Sequence, residues 1–151
     1  MKLKGWVCVY LNNLFVFGTL LPGLQNYNRF IKDHQPEIYL AKTKGVMYYL
    51  PGDNYPVVLA SEGEGEVKGV LYQTRNLAVV LPEIDEIEKY TGVESQSLLI
   101  REIRDVEILE TGEKVKAHMY LWPPSKAKWL KENGVVILDG DWARFLENKD
   151  K

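Results

Sequence analysis

Residues 98–122 read Leu-Leu-Ile-Arg-Glu-Ile-Arg-Asp-Val-Glu-Ile-Leu-Glu-Thr-Gly-Glu-Lys-Val-Lys-Ala-His-Met-Tyr-Leu-Trp, and this stretch decides the fold class. Two runs rich in apolar and β-branched residues, Leu98–Leu109 and Val115–Trp122, bracket Glu110-Thr111-Gly112-Glu113. That arrangement predicts two strands joined by a glycine turn. Outward from it the same signals recur. Val67–Thr74 follows the acidic, glycine-rich loop Ser61–Glu66, and Val46–Leu50 and Val57–Ala60 flank the turn Pro51-Gly52-Asp53-Asn54. Trp6–Leu11 and Leu14–Phe17 are expected to pair across Asn12-Asn13, since asparagine tolerates the positive φ of two-residue hairpin turns. Lys44-Gly45-Val46-Met47-Tyr48 echoes Lys68-Gly69-Val70-Leu71-Tyr72, each followed about ten residues later by an apolar run (Pro56–Leu59, Ala78–Leu81). Two copies are too few for a solenoid, so the echo reads as two similar strands of one curved sheet, with each glycine easing a bend.

Helical signals are fewer. Pro82 opens an acidic segment that closes at Gly92, the proline-first, glycine-last arrangement of a short helix. Ser125–Asn133 lies between Pro123-Pro124 and Gly134, and Asn26–Lys32 has room for a turn or two. The resulting expectation is an α+β domain: a small, strongly curved or closed, barrel-like mixed sheet with short helices set against it.

The chain of 151 residues is the length of one domain, here with an additional N-terminal strand over 1–13 and a polar tail over 143–151. Nineteen Lys+Arg against 21 Asp+Glu leave a net charge of -2, so no basic excess exists to track phosphates and nucleic acid is not an expected partner. Lys2 and Lys4 precede the mostly apolar Trp6–Leu24, which raises a signal peptide or a spanning helix. Asn12 and Asn13 interrupt that run at its middle and no small-x-small cleavage site follows, so a soluble, cytoplasmic protein without a membrane partner is expected. The single Cys8 reads as a small buried thiol, in keeping with a reducing compartment. His34 and His118 are too isolated to hold a metal and read as surface or satisfied histidines.

Two segments carry candidate chemistry. In Glu83-Ile84-Asp85-Glu86-Ile87-Glu88 the acids separate when placed at about 100° per residue. With Ile84 at the origin, Ile87 lies near about -60°, and Leu81 would lie near about +60° if the helix extended back to it. Glu88 lies near about +40°, inside that stripe; Glu83, Asp85 and Glu86 fall outside its core. An inward carboxyl has two readings. It is either structural, held by an arginine such as Arg101 or by backbone amides, or its burial raises its pKa toward values useful for proton transfer. The second segment is Leu14-Phe15-Val16-Phe17-Gly18-Thr19-Leu20-Leu21-Pro22-Gly23, a strand that runs into a turn with glycines at its ends. It matches neither phosphate-loop nor dinucleotide glycine spacing. It is either a plain turn or a place where backbone N–H groups meet an anion or oxyanion. Tyr120, on the strand face that also carries Lys116 and His118, is either a site residue or a tyrosine with one wet end.

Together these segments resemble the γ-glutamylcyclotransferase-like (AIG2-like) family. Val16-Phe17-Gly18-Thr19-Leu20-Leu21-Pro22-Gly23 is similar to its Tyr-Gly-Thr/Ser-Leu loop, and Asn54-Tyr55-Pro56-Val57-Val58 to its Tyr-Pro-Ala stretch. Glu66-Val67-Lys68-Gly69-Val70-Leu71-Tyr72 resembles its Val-x-Gly-x-x-Tyr strand, and Leu81–Glu88 its Leu-Asp-x-x-Glu segment, with Ile84 in the leucine place. Ile100-Arg101, Ala117–Tyr120 and Gly140-Asp141-Trp142 match its later arginine strand, tyrosine strand and closing Gly-Asp-Trp. The resemblance spans about residues 14 to 142 and implies a small barrel-like α/β fold. It also implies cyclisation of a small-molecule γ-glutamyl amino acid or γ-glutamylamine to 5-oxoproline, an acyltransferase or lyase reaction that needs no metal or other cofactor. Glu88 then stands at the catalytic position, Phe17, Gly18, Thr19 and Leu20 in the substrate loop, and Tyr120 at a site tyrosine. The pattern departs at Phe17, where the family has Tyr; at Lys89, where many members have Gly; and at Leu99, where a tyrosine often stands. The extra Trp6–Leu11 strand has no family counterpart. Those departures keep a non-catalytic small-molecule binding domain of the same fold as the alternative. A monomer or small homo-oligomer is expected.

Overall fold

The hairpin expected over 98–122 forms: β6 (Ile100–Ile108) and β7 (Lys114–Leu121) pair antiparallel from Ile100↔Leu121 to Glu107↔Lys114. They belong to a closed five-stranded barrel in the order β1-β5-β2-β6-β7, where β1 is Asn13–Val16, β2 Glu37–Lys44 and β5 Glu66–Gln73. Neighbours run antiparallel except at the closure, where β1 meets β7 in parallel at Leu14↔His118. A second sheet has the order β4-β3-β8, from β3 (Val46–Tyr49), β4 (Pro56–Leu59) and β8 (Val135–Ile137). The helices are α1 (Leu77–Ile87), α2 (Ala127–Asn133) and α3 (Trp142–Lys149). This computed structural model describes residues 11–24, 26–52, 55–60, 63 and 65–149. Cys8 and the strand expected over Trp6–Leu11, apart from Leu11, lie outside the described residues.

Period-two alternation on the barrel strands creates two cores. Phe15, Ala41, Leu71, Val106, Ile108, Ala117, Met119 and Leu121 come from all five strands and fill the barrel, joined by Met47, Val58, Ile137 and Trp142 from the second sheet and α3. The alternate residues Leu14, Val16, Val70, Tyr72, Tyr120 and Trp122 face outward, against Leu77, Val80, Leu81 and Ile84 of α1. β1 is thus buried on both faces, and its end opens directly into the 17–23 turn.

Three expectations are corrected. Val46–Tyr49 and Glu66–Gln73 lie in different sheets rather than in one curved sheet. Gly69 also does more than ease a bend: a Cβ there would sit 2.2 Å from the Val16 carbonyl oxygen, so only glycine lets β1 and β5 approach. The helix expected from Pro82 begins at Leu77, because Leu77, Val80, Leu81 and Ile84 form one i, i+3, i+4, i+7 stripe that buries against the barrel. Pro82 therefore sits inside the helix, where it forgoes a bond to Ala78; both residues are exposed, so water can serve the freed carbonyl. Within the segment expected as a polar tail α3 runs to Lys149, with Phe145 stacked on Trp142 at 5.3 Å and tilted against Tyr49 at 5.0 Å. Finally, β2 and β8 are strands for which the sequence carried no clear signal.

Candidate active site

The site forms where three elements meet: the end of β1, the C-terminus of α1 and β7. Phe15, Val16, Phe17, Gly18, Thr19, Leu20, Tyr55, Pro56, Glu88, Leu99 and Tyr120 line one cavity. The structure therefore brings together Glu88, the Phe17–Leu20 turn and Tyr120, which lie far apart in sequence.

Each part has a local cause. Leu21 N–H donates to the Gly18 carbonyl at 3.0 Å, which makes Gly18–Leu21 a β-turn. The buried Tyr72 hydroxyl donates to the Leu20 carbonyl at 2.7 Å and pins the turn to β5. Gly18 packs so closely on the Pro56 ring that a Cβ would lie 2.8 Å from its Cγ. Among the described residues, the backbone N–H groups of Thr19 and Leu20 donate to no protein acceptor. Two main-chain donors are thus free at the cavity lip.

Glu88 is the residue that ends α1, and it continues the Leu77–Leu81–Ile84 stripe by one turn. Tyr90 N–H donates to the Asp85 carbonyl at 2.8 Å and Lys89 N–H to the Glu86 carbonyl at 3.2 Å, the paired bonds of a Schellman stop. That stop requires a left-handed residue, and Lys89 takes it at φ 58° in place of a glycine. Among the described residues, the Glu88 carboxyl has no hydrogen bond or ion pair. Burial in these apolar surroundings pushes its pKa up from 4.5 to about 7.

Arg101, one of the groups considered as a holder for Glu88, is committed elsewhere. It grips Asp85 with two bonds, Nε to Oδ1 at 2.8 Å and Nη2 to Oδ2 at 3.2 Å. The Tyr120 hydroxyl donates to the same Asp85 Oδ1. Arg101 Nη1 lies 3.1 Å from His118 Nδ1; a guanidinium only donates, so Nδ1 accepts and the imidazole proton sits on Nε2. Burial first, then the arginine charge, holds the His118 pKa below its ordinary value. Burial, followed by the bond to Asp85, raises that of Tyr120 far out of the physiological range. His118 is thus satisfied, as the sequence suggested. Asp85, placed outside the apolar stripe by its angle, was not expected to organise this wall; the signal available was its position on the side of the helix next to Glu88.

No group of three or more His, Cys, Asp or Glu among the described residues is placed to hold a metal ion. No helix among them is long and apolar enough to cross a membrane.

A small closed barrel with a helix-borne acid facing a glycine turn defines the class, and comparison with known proteins gives the family. Residues 14–144 match the model for the family described as gamma-glutamyl cyclotransferase, AIG2-like, and the chain belongs to that family. A protein of Halalkalibacterium halodurans named "Putative gamma-glutamylcyclotransferase BH1612" is 32% identical over 101 residues, covering 67% of this chain and 81% of its own. The crystal structure of YkqA from Bacillus subtilis shares the fold with a TM-score of 0.64 at 22% identity, covering 93% of this chain. The present chain spans only 43% of YkqA. An AIG2-like protein from Mus musculus has a TM-score of 0.57 at 21% identity, covering 80% of this chain and 83% of its own.

Proposed function

We propose that this protein cyclises a γ-glutamyl amino acid or γ-glutamylamine to 5-oxoproline and releases the amine, with Glu88 moving the protons. The observation that carries the reading is an unpartnered, desolvated carboxyl lining the same cavity as a turn with two free N–H donors.

The chemistry asks for little more. The substrate's α-ammonium cannot attack until a base takes a proton, and a carboxyl with a pKa of about 7 is ready to do so near neutrality. The freed nitrogen bonds to the γ-carbonyl carbon, and the bond from that carbon to the departing nitrogen breaks. The attacking nitrogen sheds as many protons as the departing nitrogen gains, so Glu88 ends in the state in which it began. Charge that gathers on the carbonyl oxygen meets the N–H groups of Thr19 and Leu20, fixed before the reaction by the Tyr72–Leu20 bond. The walls of Phe17, Tyr55, Pro56 and Leu99 exclude water and hold the chain folded for attack. Backbone donors do not depend on the side chain at 17, so phenylalanine in the usual tyrosine place is compatible with this role. The reaction calls for no metal or organic cofactor.

The test is 5-oxoproline release from a panel of γ-glutamyl amino acids and γ-glutamylamines. Wild type is expected to turn over at least one member, with kcat/KM falling on the acid side of about pH 7, and Glu88→Gln to lower it about 10²- to 10⁴-fold while still folding. Full activity in Glu88→Gln removes the mechanism. Binding of panel members without product from any of them leaves a binding domain of the same fold.

A further inference from the structure

The Tyr120 phenol has one proton; it touches Asp85 and lines the cavity with Glu88, two carboxyls three residues apart at the end of α1. Its hydroxyl donates to Asp85, and the charge of Glu88 acts on the same phenol. A neutral phenol satisfies only one acceptor at a time. If the proton went to Glu88, it would stabilise that carboxylate, lower its pKa and occupy the lone pair needed as a base. It does not, and the reason is the preparation of Asp85. Arg101 Nε and Nη2 hold both carboxyl oxygens at 2.8 and 3.2 Å, which fixes the group in orientation. The His118 Nδ1 accepts from Arg101 Nη1 and so does not compete for the phenol proton. The Arg101 guanidinium also lies over the Tyr90 ring, 5.6 Å from its centre.

We propose that Asp85 is a positioning residue that draws the Tyr120 hydroxyl proton away from Glu88, leaving Glu88 unpaired and Tyr120 Oη as an acceptor facing the cavity. The three N–H donors of a substrate ammonium then meet two acceptors, Glu88 and Tyr120 Oη, while no neutral donor blocks the base. This role in turnover rests on the cyclisation proposed above; the proton arrangement itself does not. The titratable groups that line the cavity with Glu88 are Tyr120 on β7 and Tyr55; Asp85 stands three residues back on α1, held by Arg101, which also meets His118.

The experiment is a titration of the Glu88 side-chain carbon by NMR in four forms of the whole protein: wild type, Asp85→Asn, Tyr120→Phe and the double variant. In Asp85→Asn the acceptor left beside the phenol is a neutral amide oxygen, so the proton is expected to turn to ionised Glu88 and lower its pKa by about 1 or more. In the Tyr120→Phe background the same change is expected to move it far less, because no proton is left to hand over. Equal movement in both backgrounds would mean that only the lost charge of Asp85 matters, and would overturn the proposal, as would no movement in either. A second measurement covers the case in which the Asp85 variant does not fold. In wild type the Tyr120 hydroxyl proton signal is expected to stay in place while Glu88 titrates; a signal that moves with Glu88 places the proton between the two and overturns the proposal. Turnover is read separately: 5-oxoproline release at pH 7 is expected to fall about tenfold or more in Asp85→Asn. If wild type makes no 5-oxoproline, the cyclisation reading fails, and the carbon titration still decides the proton arrangement.

Discussion

Two hollows on this barrel make an instructive pair. The Glu88 cavity holds about 50 Å³, whereas a groove across the outer faces of β2, β6 and β7 holds about 350 Å³ and is lined by Lys42, Glu66, Asp105, Glu107, Lys114 and Lys116, among others. By size and charge the groove is the more conspicuous. Its charges, however, answer one another in water: Lys42 pairs with Glu66 at 3.0 Å and Lys116 with Asp105 at 2.7 Å, and both members of the latter pair are largely exposed. Exposed pairs of this kind store little energy. Among the described residues, the small cavity has one acid, no counter-ion and mostly apolar walls, so its carboxyl stays energetically unsatisfied. That dissatisfaction, rather than volume, marks a place for chemistry.

The largest effect expected at the small cavity comes from Glu88→Gln. Besides the loss of 5-oxoproline release, that change is expected to stabilise the fold above neutral pH. The folded pKa of about 7 lies above the ordinary 4.5, so protonated Glu88 suits the fold and ionised Glu88 does not. Its favourable contribution is complete below about pH 4.5 and is lost as the pH rises through about 7. At pH 8 the amide variant is expected to be more stable than wild type by up to about 3 kcal/mol, and equal to it at pH 4. Urea unfolding at the two pH values checks this; a variant less stable than wild type at pH 8 would show that Glu88 is a held structural acid after all.

Next in size is Gly18→Ala. Its methyl would press on the stiff Pro56 ring at 2.8 Å, so a loss of about 1–3 kcal/mol is expected, together with a raised KM as the turn shifts. Lys89→Gly is expected to act in the opposite sense, with a gain of about 0.5–1 kcal/mol from relief of the left-handed lysine at φ 58°, measured as a higher Tm. The smallest effect belongs to the large groove: Lys42→Ala is expected to leave both Tm and turnover unchanged. A strong loss of turnover there would reverse the ranking of the two hollows.

The legibility of the chain varies with how its residues are shared between faces. β6 and β7 were plain because alternation and a glycine turn agree. β2 was hidden because Ile38 and Leu40 point to solvent, 43% and 68% exposed, while Lys42 and Lys44 follow on the same face; no clean inside-and-outside pattern remains. The start of α1 was misplaced because Leu77–Leu81 is an unbroken apolar run whose period is ambiguous at that length, and Pro82 looked like a beginning. The inward direction of Glu88 was readable, since helical angles follow from spacing alone. The destination of Arg101 was not.

What the sequence determined by itself is therefore local: which runs are strands, where the glycine turn falls, and that Glu88 continues an apolar stripe, all consequences of periodicity and backbone sterics. What only the tertiary structure decided is competition. Asp85 and Glu88 stand three residues apart and could each have claimed Arg101 or Tyr120. The closure of β1 onto β7 and the seating of α1 across them gave both partners to Asp85 and left Glu88 alone, because which charges meet depends on distances that no one-dimensional pattern contains.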